Sequence, residues 1–197
     1  MRATFRLLIV CLLLAAAVPA ASADDTYSTV DNPFYVGVGL GHVSVSRGSL
    51  SLGGADSGGI DGSGSSWSVL GGYYFTDNFG VELGYHDYGK PTAFKQTGFT
   101  VQQCPVSFSC PQVSAVTAEF LGKVEIVPML DGILRLGLQE WNVGSPGGQL
   151  LDKTSGSAFI YGVGVSHHFD YNLNLDITYE HSSFSTGETR IGFSYSF

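Results

Sequence analysis

Between Ser66 and Gly89 the chain reads SWSVLGGYYFTDNFGVELGYHDYG, two alternating runs of strand length joined at Thr76-Asp77-Asn78. In the second run Phe79, Val81, Leu83 and Tyr85 fall on one side, and Gly80, Glu82, Gly84 and His86 on the other. A period of two separates side chains into two faces only on an extended strand. One face is apolar and the other is small or charged. Alternation alone leaves the solvent on each face open. A soluble sandwich buries its apolar face, whereas a membrane barrel turns it to lipid.

The N-terminus narrows the choice of compartment. Arg2 and Arg6 precede an apolar run from Leu7 to Ala17, and Ala21-Ser22-Ala23 supplies small residues before Asp24. This is the pattern of a secretory signal, so residues 1–23 are expected to be removed near Ala23. The apolar run is shorter than the roughly 20 residues of a spanning helix. The whole chain has nine Lys and Arg against 17 Asp and Glu. Loss of Arg2 and Arg6 leaves seven against 17, a formal charge of −10. Nucleic acid is a poor partner for such a chain, because neutralising phosphates takes clustered cations. No later apolar segment approaches spanning-helix length. The choice is therefore between a secreted all-β domain and a membrane β-barrel.

From Pro33 onward eight strands can be read, with residues 24–33 as an N-terminal extension. The first, Phe34 to Val45, sets Phe34, Val36, Val38 and Leu40 against Tyr35 and glycines. Residues 46–65 read as a polar Gly/Ser loop, and the hairpin supplies strands two and three. A second loop covers Pro91 to Pro111. Strand four, Gln112 to Val127, sets Val116, Ala118, Phe120, Val124 and Ile126 against Thr117, Glu119, Lys123 and Glu125. After a turn at Pro128 to Gly132, Leu134, Leu136 and Leu138 oppose Arg135, Gly137 and Gln139. A third loop covers Gly144 to Gly156. Strand six opposes Phe159, Tyr161, Val163 and Val165 to Gly162, Gly164 and Ser166, and turns at Asp170-Tyr171-Asn172. Strand seven opposes Leu173, Leu175, Ile177 and Tyr179 to Asn174, Asp176, Thr178 and Glu180. Strand eight opposes Ile191, Phe193, Tyr195 and Phe197 to Arg190, Gly192, Ser194 and Ser196.

Two regularities favour the membrane barrel. Connections alternate long and short, with a brief fourth outer link at 182–187, as in barrels with short periplasmic turns and longer external loops. Charges also sit in mid-strand: Glu82, Glu119, Lys123, Glu125, Arg135, Asp176, Glu180 and Arg190 all share a face with glycine and serine. A face in free water would not need that many small residues. A narrow interior would, because eight strands enclose a lumen just wide enough for side chains to fill. Aromatic residues gather in two sets. Phe34, Tyr35, Tyr74, Phe75, Phe79, Phe169, Tyr171, Tyr195 and Phe197 lie beside the short turns or termini. Trp67, Tyr85, Tyr88, Trp141, Phe159 and Tyr179 lie towards the long loops. They read as girdles at the two membrane interfaces. The expected fold is an all-β, eight-stranded, up-and-down antiparallel transmembrane barrel over residues 34–197, in the outer membrane of a Gram-negative cell.

The segment GSSWSVLGGYYFTDNFGVELGYHDYG resembles the N-x-(A/G)-x-E-x-G-Y-x-D-x-G hairpin of OmpA-like outer-membrane barrel domains. The ending Ile191-Gly-Phe-Ser-Tyr-Ser-Phe197 is similar to the C-terminal signal by which the outer-membrane assembly machinery recognises its clients, through Phe193, Tyr195 and Phe197. The resemblance implies that Glu82 is a lumenal glutamate in a salt-bridge network. It also implies contact with outer-membrane lipid and lipopolysaccharide, and a contribution to envelope integrity.

Three constellations bear on chemistry. Cys104 and Cys110 remain after signal removal and lie in an external loop of an exported protein, so a disulfide between them is expected. His181, Ser183 and Glu188 are similar to the triad of lipid A deacylase barrels, in which a histidine takes the serine proton and an acid orients the ring. Glu188 falls on the lumenal parity, opposite to His181 and Ser183, so a polar rim is the favoured reading. His167 and His168 are adjacent and point to opposite faces, while His42 and His86 read as strand-end polar residues. No metal site and no cofactor are expected. The functional expectation is a non-enzymatic surface protein whose loops contact host molecules, lipopolysaccharide or envelope proteins. A lipid A acyl hydrolase and a narrow, low-conductance pore are the alternatives.

Overall fold

Eight long strands follow the alternation. They are β1 (Phe34–Arg47), β2 (Gly59–Tyr74), β3 (Phe79–Asp87), β4 (Gln112–Val127), β5 (Leu130–Gly144), β6 (Ser155–His168), β7 (Leu173–Ser182) and β8 (Thr186–Ser196). The computed structural model describes residues 32–47, 51–52, 55–56, 59–89, 94–96, 99–101, 112–144, 155–169, 172–183 and 186–197. Each long strand pairs antiparallel with the next. β1 also pairs with β8, through Tyr35↔Ser196, Gly39↔Gly192 and Val45↔Thr186. The sheet thus closes on itself, and closure removes the unpaired edges that neither lipid nor water-free surroundings tolerate. Among the described residues there is no helix.

The apolar face points outward. Leu40 is 73% exposed, and Val38, Val69, Leu83, Phe120, Leu136, Val163, Ile177 and Ile191 are exposed in the same band, with Ser66, Ser68, Glu82, Thr117 and Arg190 buried behind them. A water-soluble sheet could not sustain that arrangement, whereas a hydrocarbon surround makes it favourable.

Along its axis the lumen is layered. At the long-loop end Val43, Val45, Tyr88, Val113, Ala115, Trp141, Val143 and Ala158 pack together as one apolar cluster. The charged layer lies below it, and Tyr35, Leu121 and Ile133 face inward nearer the short turns. Tyr35, Tyr74, Tyr88 and Trp141 therefore leave the interface girdles in which their positions along the strands had placed them. Tyr35 stacks on Tyr74 at 5.3 Å between centroids inside the wall. Trp141 and Tyr88 line the outer cluster. Nearness to a strand end does not distinguish the two faces.

Several boundaries differ from the sequence reading. β2 begins at Gly59, inside the segment read as loop, and pairs with β1 through Val43↔Gly64, Val45↔Gly62 and Arg47↔Ile60. Backbone pairing needs no apolar side chains, so a polar Gly/Ser run can extend a barrel wall beyond the lipid. Within the 91–111 segment, Phe94–Gln96 and Phe99–Val101 pair as a short hairpin, and Ile60 pairs with Phe94. Ser51–Leu52 and Ala55–Asp56 pair in the same way. The turn between β4 and β5 is only Pro128-Met129, tighter than the Pro128 to Gly132 reading. Met129 has φ 70°, which the third residue of a type II turn requires after a proline. The Asp170-Tyr171 part of the next turn, residues 1–23, Cys104 and Cys110 lie outside the described residues.

Candidate functional site

The charged layer is assembled from five strands, and register explains why it fits. Each network member sits opposite a glycine: Glu82↔Gly72, Glu119↔Gly137, Arg135↔Gly162, Glu180↔Gly162 and Arg190↔Gly41. The glycines supply space. A Cβ added at Gly39 would come within 2.6 Å of the Arg190 side chain, and one at Gly162 within 2.6 Å of Glu180. The alternation of glycine with long charged residues is thus a packing code for a filled lumen.

Arg135 is the hub of one half. Its Nη1 donates to Glu82 Oε1, and Tyr35 donates its hydroxyl to Glu82 Oε2, so both oxygens of that carboxylate are satisfied. Arg135 also lies 3.9 Å from Glu119 Oε2 and, through Nε, 3.7 Å from Glu180 Oε1. Arg190 Nη2 donates to Glu180 Oε1 at 2.6 Å. A neighbouring set joins β2, β3, β4 and β8. Ser66 Oγ donates to Glu188 Oε1 at 2.5 Å, and His86 Nδ1 lies 3.2 Å from Glu188 Oε2. His86 Nε2 lies 3.4 Å from Thr117 Oγ1. Above the layer Gln139 Nε2 donates to Tyr88 Oη at 3.2 Å, and burial pushes the Tyr88 phenol well above its ordinary value. His86, Glu119 and Glu180 have ligand-type atoms within 4.8 Å of one another, all three being buried.

Five of the eight charges expected in the lumen meet there: Glu82, Glu119, Arg135, Glu180 and Arg190. The other three depart from that expectation. Glu125 is exposed beside a register irregularity between Glu125 and Val127, where the wall ends at the turn. Lys123 is half-buried, with Nζ 4.1 Å from the centroid of the Tyr74 ring; among the described residues it has no carboxylate within ion-pair distance. Asp176 is half-buried near the short turns and accepts from Ser194 Oγ at 3.4 Å. Parity fixes which face a residue occupies. Height along the barrel axis decides whether that face is enclosed.

Glu188 and His86 are members the charge list missed. Parity puts Glu188 on the lumenal face, and burial so near a strand end is not legible in the alternation. His86 is 0% exposed, so it is no rim residue. Glu188 lies inside the wall against His86 and is not assembled with His181 and Ser183. The His181 ring packs 5.5 Å from Tyr161, and Ser183 Oγ accepts from the Phe159 amide at 2.9 Å. At the short-turn mouth His168 contacts Asn174, and its Nε2 lies 2.7 Å from Asp131 Oδ2.

A closed eight-stranded antiparallel barrel with an apolar exterior and a paired-charge interior defines an integral outer-membrane β-barrel. The chain belongs to the outer membrane protein beta-barrel domain family, which it matches over residues 8–197. Among solved structures it is similar to Neisserial surface protein A, at 18% identity and TM-score 0.58, over 83% of this chain and 97% of that one. It is also similar to OprG from Pseudomonas aeruginosa, at 14% identity and TM-score 0.56, over 87% and 99% of the two chains. The outer membrane protein AlkL matches at 13% identity and TM-score 0.51, over 89% and 95%. These similarities show a shared fold. A search of the curated proteins gives no match.

Proposed function

We propose that this barrel is a non-enzymatic surface component of the outer membrane, which strengthens the envelope and presents its long connections to lipopolysaccharide, host molecules or envelope proteins. One observation carries the reading: the lumen holds an apolar cluster at the long-loop end over an interlocked charge layer. Such an interior favours neither a conduction path nor a catalytic cleft. The variable chemistry then lies in the connections between β1 and β2, β3 and β4, and β5 and β6, all at one end. The brief β7–β8 link shares that end, and the turns between β2 and β3, β4 and β5, and β6 and β7 lie at the other.

The test compares cells lacking the protein, cells restored with wild type, and cells restored with a barrel whose 48–58, 90–111 and 145–154 segments are replaced by short turns. The trimmed barrel is expected to restore detergent resistance while failing to restore cell binding to immobilised lipopolysaccharide or matrix protein. Equal binding by the trimmed barrel would remove the loops from the proposal. Lipid A mass spectra from cells with wild type and with Ser183→Ala are expected to be identical. A Ser183-dependent loss of an acyl chain would replace the proposal with hydrolase activity.

A further inference from the structure

The charged layer carries an imbalance that its ion pairs leave unresolved. Glu82, Glu119, Glu180 and Glu188 are four buried carboxylates, faced by the two guanidinium groups of Arg135 and Arg190. Among the described residues two negative charges remain without a guanidinium partner, and the group beside Glu188 is the His86 imidazole. Buried charge is costly unless it is paired and hydrogen-bonded. Yet among the described residues neither oxygen of Glu119 has a hydrogen-bond partner, and Glu180 Oε2 has none either, because Arg190 engages only Oε1. Glu119 reaches Arg135 only at 3.9 Å, beyond hydrogen-bond range.

These unpartnered oxygens belong to the same two residues that converge with His86 within 4.8 Å. We infer that His86, Glu119 and Glu180 form a binding site for a divalent transition-metal ion of the zinc class inside the barrel. The ion supplies the two missing positive charges. It gives the idle carboxylate oxygens a partner and ties β3, β4 and β7 together across the lumen.

The histidine is oriented for this role. Glu188, itself held by Ser66, engages Nδ1, which leaves Nε2, with only the 3.4 Å contact to Thr117 Oγ1, as the ligand atom. A carboxylate that fixes the tautomer of a ligating imidazole is the usual outer partner at zinc sites. The donor set also chooses the metal. Calcium and magnesium prefer all-oxygen sites with several waters, whereas one imidazole and two carboxylates suit zinc and its neighbours. In a tetrahedral zinc site the ligand atoms stand about 3.3 Å apart, so the 4.8 Å cluster closes further around a bound ion. Gly84 keeps the space beside the imidazole clear, since a Cβ there would lie 2.8 Å from His86 Nε2.

The test uses full-length protein without a histidine tag, extracted in mild detergent from outer membranes of cells grown with added zinc sulfate. After exchange into metal-free buffer, the wild type is expected to retain one zinc per chain. Glu119→Gln and His86→Gln are expected to retain none, with folding checked by heat-modifiable gel mobility. Glu188→Gln should still bind zinc but about 10- to 100-fold more weakly, the usual cost of losing such an outer partner. His168→Asn, which removes the histidine–aspartate pair at the other end of the barrel, should retain zinc like the wild type. X-ray absorption at the zinc edge of the wild type should show a single imidazole with oxygen ligands, a reading that stands even if a variant fails to fold. Wild type with no more zinc than His86→Gln, zinc kept by folded Glu119→Gln, or two imidazoles in the absorption spectrum would overturn the site.

Discussion

Arg135 faces Glu82, Glu119 and Glu180 from one guanidinium group, so truncating it leaves those acids to Arg190. Arg135→Ala and Arg190→Ala are each expected to destabilise the barrel by roughly 3 to 5 kcal/mol, the typical cost of unpairing a buried charge. Lys123→Ala removes a cation over a tyrosine ring at a half-buried site, which is worth about 0.5 to 2 kcal/mol. Urea unfolding in detergent, followed by tryptophan fluorescence, should rank the lysine variant well above both arginine variants in stability. Equal losses at all three positions would deny that Arg135 and Arg190 bear a special share of the interior charge. Cys104 and Cys110 belong to the same scale. Intact-mass analysis of unreduced protein is expected to show the loss of two hydrogens, about 2 Da, and two alkylatable thiols would refute the bond.

At the scale of the strand, the seam between β1 and β8 closes the barrel and ends on Phe197. Its amide donates to Phe34 O at 2.8 Å, and its ring lies 6.3 Å from that of Phe34 at the short-turn end. The side chain is 58% exposed to the membrane side, so deletion removes one net hydrogen bond and little packing, about 1 kcal/mol. The loss in outer-membrane level is expected to be far larger, because the family resemblance makes Phe197 part of the assembly signal. Normal surface levels of the truncated protein, quantified by membrane fractionation, would remove that second role. The strands show why eight could be read by eye while their ends could not. Phe79 to Tyr85 alternates cleanly because lipid and lumen impose opposite chemistry on the two faces. Beyond Leu40 and Trp67, β1 and β2 run on past the apolar band, and pairs such as Ser44↔Ser63 leave no such contrast.

For the whole molecule, layering of the lumen predicts electrical silence. An ion entering from the long-loop end meets Val43, Val113, Trp141 and their neighbours before it can reach the charged layer. Purified protein in planar bilayers is expected to give no large, stable conductance. A sustained open channel would mean that the apolar cluster is displaced in the membrane and that the lumen is not filled.

The sequence by itself determined the closed, eight-stranded, inside-out barrel. Period two, the alternation of long and short connections, and mid-strand charges set among glycines leave no other economical burial of both faces. It also put Glu82, Glu119, Arg135, Glu180 and Arg190 on the lumenal face, because parity is a local property of each strand. Only the tertiary structure decided their partners, since Glu82 on β3 meets Arg135 on β5 and Glu119 on β4 converges with Glu180 on β7. Those meetings depend on strand tilt and stagger, which set the height of each residue along a shared axis. Height is also what released Glu125 to the surface and drew His86 and Glu188 inside. A chain's alternation specifies the side of the wall on which a residue stands, and only closure of the wall fixes how far along it.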